Sequence, residues 1–185
     1  MAYSQAEKLQ IMMLCEIYRK LDIKDSFDPG LIEEAVSSDN YWAINWEYPS
    51  LDDGEDDPLK VKVFADTVDM YEILQFTYER FTDTEKAEVA SKISHFDESY
   101  SLSFPGFDGN NEGEFIGVGR LLKKMGRFSE SIDLTKNSHR RSVDIYQRML
   151  EEFLPARAND WHDGKGISVE SFIKTFNART HPSNR

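Results

Sequence analysis

The sequence predicts an all-α, single-domain helical bundle of about six to eight helices around a central helix at residues 109–125. Three observations lead there. Apolar residues recur at three- and four-residue steps along most of the chain, the spacing of one helix face. Helix-start signatures precede several of these runs: Ser4-x-x-Glu7, Asp28-Pro29 and Thr82-x-x-Glu85. Phe104-Pro105-Gly106-Phe107-Asp108 reads as a type II turn, with Pro fixing φ and Gly supplying the positive φ after it. That turn feeds a segment whose Phe115, Val118, Leu122 and Met125 share one face. Gly113 and Gly117 lie one turn apart on roughly the other side, a notch for a second backbone. Asp108 is placed to cap this helix.

In chain order, Leu9, Met13, Ile17 and Leu21 define a first helix over about residues 5–21. A short one follows from Pro29 to about Ser37. The aromatic run Tyr41 to Trp46 suggests a further helical turn. Tyr48 to Asp57 is a solvated acidic loop, whose carboxylates suit the N-terminus of the next helix. That helix runs from Pro58 to about Arg80 with two apolar stripes, one through Val61, Phe64, Val68 and Tyr71, the other through Val63, Met70, Ile73 and Leu74. Apolar residues on two sides predict burial between neighbours. A helix opened by Thr82 extends to about His95. Residues 96–107 read as irregular, extended at Leu102–Phe104. Gly126 falls at the C-cap of the central helix, and Phe128 to Ser138 is a polar connection. Val143, Tyr146, Met149, Leu150 and Phe153 mark a helix over about residues 139–154, ended by Pro155. Residues 156–167 read as a loop. Ser168 caps a last helix bearing Val169, Phe172, Ile173 and Phe176, before a frayed end from Thr180 to Arg185.

The 185 residues carry a formal charge of −12, unevenly distributed. Residues 25–114 hold 23 acids against 5 bases, and residues 115–185 hold 8 acids against 13 bases. The acidic bulk repels phosphate, so a nucleic-acid partner is not expected, although the basic C-terminal portion is a local exception. No apolar run approaches the roughly 20 residues that span a bilayer, so no membrane role is expected. The N-terminal residues do not read as a secretory signal. The one cysteine, Cys15, reads as a small core residue and agrees with a reducing cytoplasm.

Motifs for chemistry are scarce. Gly117-x-Gly119 has no preceding strand and no third glycine, which favours packing over nucleotide binding. His95, His139, His162 and His181 show no ligand spacing, and Asp52 to Asp57 lacks the EF-hand order, so no metal and no cofactor are expected. Trp161-His162-Asp163 fits a His–carboxylate pair and a solvent-facing loop equally well. Tyr41, Trp42, Trp46 and Tyr48 fit either an interface or burial against the first helix, with burial preferred. Lys123, Lys124, Arg127, Arg140, Arg141 and Arg148 suit helix C-termini and solvated faces better than a phosphate site. No catalytic residue is assigned.

Several short blocks then fall into one pattern: Gly106-Phe107-Asp108, Glu112, Gly117 and Arg120, Gly126-Arg127, Tyr146-Gln147-Arg148-Met149-Leu150, and Trp161-His162. Together they resemble the YfbU family of bacterial proteins, with weaker similarity at Leu9–Leu21 and Met70-Tyr71. Residues 50–57 and 129–141 depart from the family pattern. The resemblance implies a helical fold in a cytoplasmic setting and leaves the activity open. Its polar residues give one candidate cluster: Asp108, Glu112, Arg120, Arg127 and Arg148. Arginine forks suit carboxylates, yet Glu112 and Arg120 lie about 80° apart around an ideal helix. A structural network tying the central helix to the helix of residues 139–154 is expected. The functional expectation is a non-enzymatic protein-interaction module, with a protein partner or self-association. The alternative is a small-ligand-binding protein or enzyme using Asp108, Glu112 and Arg120.

Overall fold

The structure, a computed structural model, describes all residues except 1–2, 25, 53, 129–131, 161–164 and 182–185. The described residues form nine α-helices. These are α1 (Gln5–Lys20), α2 (Pro29–Ser37), α3 (Trp42–Glu47), α4 (Leu59–Arg80), α5 (Asp83–Lys92), α6 (Glu98–Ser101), α7 (Gly113–Lys124), α8 (Val143–Asp160) and α9 (Val169–Asn177). The all-α expectation holds. The extended stretch expected at Leu102–Phe104 is absent; instead α6 precedes it, and Phe107 and Asn137 form an isolated bridge. Both capping boxes form, Ser4 with Glu7 and Thr82 with Glu85, and Asp28 caps α2.

The most enclosed element is α4 rather than α7. Eleven of its 22 residues are buried, because α7 and α8 cover its two apolar stripes. Phe64 stacks on Phe107 and Phe107 on Phe115, at centroid separations of 5.2 and 4.5 Å. Tyr71 meets Phe104 and Tyr146 edge-on. At the far end, Tyr78 and Phe81 pack on Phe172 of α9. Arg157 of α8 pairs with Asp66 and Asp69 of α4, pinning the two helices side by side.

Several boundaries differ from the sequence reading. Helix α7 begins at Gly113, because Asp108 spends its carboxylate on the turn before it. Pro105-Gly106 makes no closed type II turn, since Phe107 donates its N–H to the Lys136 carbonyl at 3.2 Å. Gly106 does take a positive φ of 86°, and a Cβ there would overlap the Lys136 carbonyl. The notch expected at Gly113 and Gly117 lies at Gly119, where a Cβ would overlap the Leu134 carbonyl and Phe64. Gly126 ends α7 as expected: with a φ of 65°, its N–H donates to Lys123 O, and that of Arg127 to Leu122 O.

Pro155 lies inside α8 and does not end it. It forfeits one backbone bond to Glu151, but buried Phe153 and Ala156 and the Arg157 ion pairs hold the next turn helical. The loop expected from residue 156 therefore starts later, and the Trp161-His162-Asp163 reading lies outside the described residues, as does most of the expected frayed end. The aromatic run packs on α2 rather than α1: Trp42 enters the core and meets Trp46 edge-on, and Tyr48 accepts from the Asp28 N–H. The α1 face expected to seek the core does the opposite. Leu9, Met13, Ile17 and Leu21 are exposed, while Cys15 is buried and α2 is the main neighbour.

Candidate functional site

The residues from Gly106 to Glu112 cross the segment from Lys136 to Ser142 at the entry to α8. Glu112 is the joint between them. It is only 8% exposed and stands at the N-cap of α7 with φ −127°. One carboxylate oxygen, Oε1, accepts from the N–H groups of Ser142 and Val143 at 2.7 and 3.0 Å. The other, Oε2, accepts from the Asp108 N–H at 3.0 Å. The first N–H groups of α8 thus point at an anion supplied by α7, the arrangement the helix dipole favours. Ser142 Oγ also reaches the Gly106 carbonyl, which Tyr146 contacts through its hydroxyl at 2.7 Å. Burial pushes the Tyr146 phenol far above its ordinary range, so it stays a neutral donor.

Asp108, 3% exposed, turns toward its own loop. It accepts from the Asn111 side-chain amide and the Asn110 N–H. Those two bonds, the Asn111 amide first, hold its carboxyl below the usual range. Asn137 locks the partner segment by accepting from Gly109 and His139 N–H groups at 3.0 and 2.9 Å.

The arginines of the candidate cluster go elsewhere. Arg120 is exposed and reaches Glu34 of α2 at 3.9 Å, beside the tighter Lys124–Glu34 pair at 2.8 Å. Arg127 donates to the Trp46 carbonyl at 2.8 Å, at the end of α3. Arg148 donates to the carbonyls of Asp144, Ala178 and Arg179, fastening α8 to the C-terminal end of α9. Two of these forks satisfy carbonyls at helix ends rather than carboxylates. The structure therefore brings Asp108 and Glu112 together and leaves Arg120, Arg127 and Arg148 at three other joints.

Ser142, Asn137 and Asn111 complete the Asp108–Glu112 joint, and the sequence reading missed them. Ser142 directly before Val143 is an N-cap signal that would have moved the start of α8 from 139 to 143. Nothing in the spacing of Asn137 marks it. Among the described residues, the hydrogen bonds of Asp108 and Glu112 all go to neighbouring backbone and side-chain groups, and through Glu112 they link the start of α7 to the start of α8. Among the described residues no group of three His, Cys, Asp or Glu is arranged to hold a metal ion, and no helix is long and apolar enough to cross a membrane.

A second feature faces outward. Leu9, Met12, Met13, Leu14 and Ile17 of α1 and its C-cap Leu21 are between 36% and 66% exposed, and Ile23 and Phe27 extend the patch. Beside it, Ile11, Leu14, Tyr18, Phe27, Pro29 and Ile32 line an apolar groove of about 190 Å³ over Cys15.

Comparison with curated proteins and with solved structures gives no significant match. A model of the YfbU domain matches residues 1–170, nearly the whole sequence. The chain belongs to the YfbU family.

Proposed function

We propose that this protein is a non-enzymatic interaction module of a single domain, and that its partner is a second copy of itself docked along α1. The observation carrying this is the exposed apolar face of α1. Taking unfolded-chain surface per unit mass as reference, the five exposed large apolar residues of α1 together with Leu21, Ile23 and Phe27 just beyond it leave roughly 700 Å² in water. One partner of a standard-size interface contributes about 800 Å², and monomers rarely leave so large an apolar patch uncovered.

A twofold axis relating two copies of α1 is the simplest closed arrangement. The satisfied Asp108–Glu112 joint favours this reading over a ligand site there. Arg127, Arg148 and Lys124 are engaged in helix joints, which supports the expectation of no nucleic-acid partner. A single cysteine fits a cytoplasmic setting.

Light scattering on the full chain over a range of concentrations tests the proposal. The expected mass is twice 21.4 kDa at working concentration, persisting in high salt because the contact is mainly apolar. A monomer at high concentration in low salt removes the reading. A dimer unaffected by Ile17→Asp places the contact elsewhere and removes the assignment to α1.

A further inference from the structure

The exposed face of α1 is built from aliphatic side chains and two thioethers, and only the thioethers can change polarity by a covalent step. Met13 lies in the middle of the exposed stripe. Leu9 precedes it and Ile17 follows it by one helical step of four residues, so the three stand in one row. All are more than half exposed, at 59%, 56% and 52% in chain order. Met12, in the neighbouring row, is 36% exposed.

The other described methionines sit elsewhere. Met70 of α4 and Met149 of α8 are fully enclosed, and Met125 at the end of α7 packs partly buried against the core. A dissolved oxidant must reach the sulfur to react, so the accessible thioethers are those on the α1 face. Cys15 is the competing sulfur, but it is 5% exposed, and burial pushes its thiol up, leaving little thiolate to react.

Oxidation by a hydroperoxide gives methionine sulfoxide, a polar side chain in place of an apolar one. The sulfur gives up two electrons, the O–O bond breaks, one oxygen stays on sulfur, and the other leaves as water or an alcohol. In a free subunit the new oxygen accepts hydrogen bonds from water. Covering the face removes those bonds, and burying a polar group without a partner is costly. A twofold contact brings in one modified helix from each subunit, so the penalty enters twice.

We infer that Met13, with Met12 beside it, is an oxidation site through which hydroperoxides release the α1 contact. This rests on the reading of α1 as the surface where two copies meet. The oxidant acts on the free subunit, because pairing covers the sulfur, and the sulfoxide then holds the subunits apart. A thiol-dependent sulfoxide reductase reverses the step: two thiols become a disulfide and the oxygen leaves as water.

Light scattering of the full chain over a concentration series, before and after hydrogen peroxide, tests this, with oxidised positions mapped by peptide mass spectrometry. Sulfoxide is expected at Met13 and Met12 well before Met70 and Met149, with the helical circular-dichroism signal retained. The dimer Kd is expected to rise at least about a hundredfold, about tenfold from each modified subunit. Methionine sulfoxide reductases with dithiothreitol should restore the starting Kd. The chain carrying Met12→Leu and Met13→Leu has a starting Kd of its own, and peroxide is expected to leave that value within about twofold. It keeps Cys15, so release through the thiol would show there in full. The inference is overturned if Met70 or Met149 oxidises as fast as Met13, if the oxidised chain pairs as tightly as before, or if peroxide releases the doubly substituted chain to the same degree. A chain that is monomeric before peroxide removes the reading of α1 and this inference with it; a chain that pairs equally before and after removes this inference alone.

Discussion

Helix α4 carries two apolar stripes, and α7 and α8 cover both. Helix α1 also carries two apolar sides, but α2 covers only the one holding Cys15. The same kind of sequence signal ends in a core in one case and in solvent in the other. Periodicity reports that a face is apolar; it does not report whether this chain holds enough elements to cover it. In α4 the covering elements arrive from residues 113–160, far along the chain. For α1, at the edge of the bundle, Leu9, Met13, Ile17 and Leu21 stay exposed in the described chain.

The sharpest way to break this comparison is to place the same charge on each helix. Val68 is fully buried in α4, so Val68→Asp would bury an unpaired carboxylate. The expected loss is about 4 kcal/mol or more, the tail of single-substitution effects, seen as a chain without a cooperative thermal transition. Ile17→Asp on α1 is expected to leave each subunit folded, within about 0.5 kcal/mol. It should halve the mass in light scattering and make the thermal midpoint independent of protein concentration. Equal damage from both substitutions would show that α1 is as much core as α4.

The covering of α4 depends in turn on the joint that orients α7 against α8. Glu112→Ala would leave the N–H groups of Asp108, Ser142 and Val143 without their acceptor. Bonds to charged groups are worth about 1.5–3 kcal/mol, so a loss of about 3 kcal/mol is expected in urea unfolding. Glu112→Gln should recover part of it, because one carbonyl oxygen still accepts. Asp108 adds a pH signature. Its folded carboxyl is held below the unfolded value, so its contribution is present above the unfolded pKa and is lost as pH falls through the folded one. Asp108→Asn is expected to flatten that acid-side slope; an unchanged slope would assign it to other carboxylates.

Much of this was legible beforehand, for local reasons. Caps are short-range chemistry, so Ser4, Asp28, Thr82, Ser168 and the Gly126 stop could be read directly. What failed depended on distant residues. Gly119 is small because the Leu134 carbonyl and Phe64 press on it, and Gly113 and Gly117 are not pressed at all. Pro155 is tolerated because Arg157 reaches Asp66 and Asp69 on α4. In the candidate cluster, Asp108 and Glu112 are neighbours in sequence and in space. Arg120, Arg127 and Arg148 join them only through the sequence blocks shared with the family, whereas two of the three satisfy carbonyls at helix ends, which no side-chain pattern announces.

The smallest expected effect separates the two sides of α1 within one helix. Cys15 is 5% exposed, and burial, followed by the charge of Glu33, pushes its thiol above the ordinary range. Less thiolate is then present at a given pH, and the reagent must also pass α2. In the Ile17→Asp monomer, where no partner shields the helix, Cys15 is expected to react with a thiol reagent more slowly than in the denatured chain. Its rate should keep climbing with pH beyond the point where a free thiol levels off. Ile32 of α2 borders the groove over Cys15, so adding Ile32→Ala should speed labelling several-fold with little change in mass. Native labelling at the denatured rate would mean that α2 does not hold the Cys15 side. The helix would then be unattached on both sides, and the contrast with α4 would concern docking of the whole helix rather than one uncovered face.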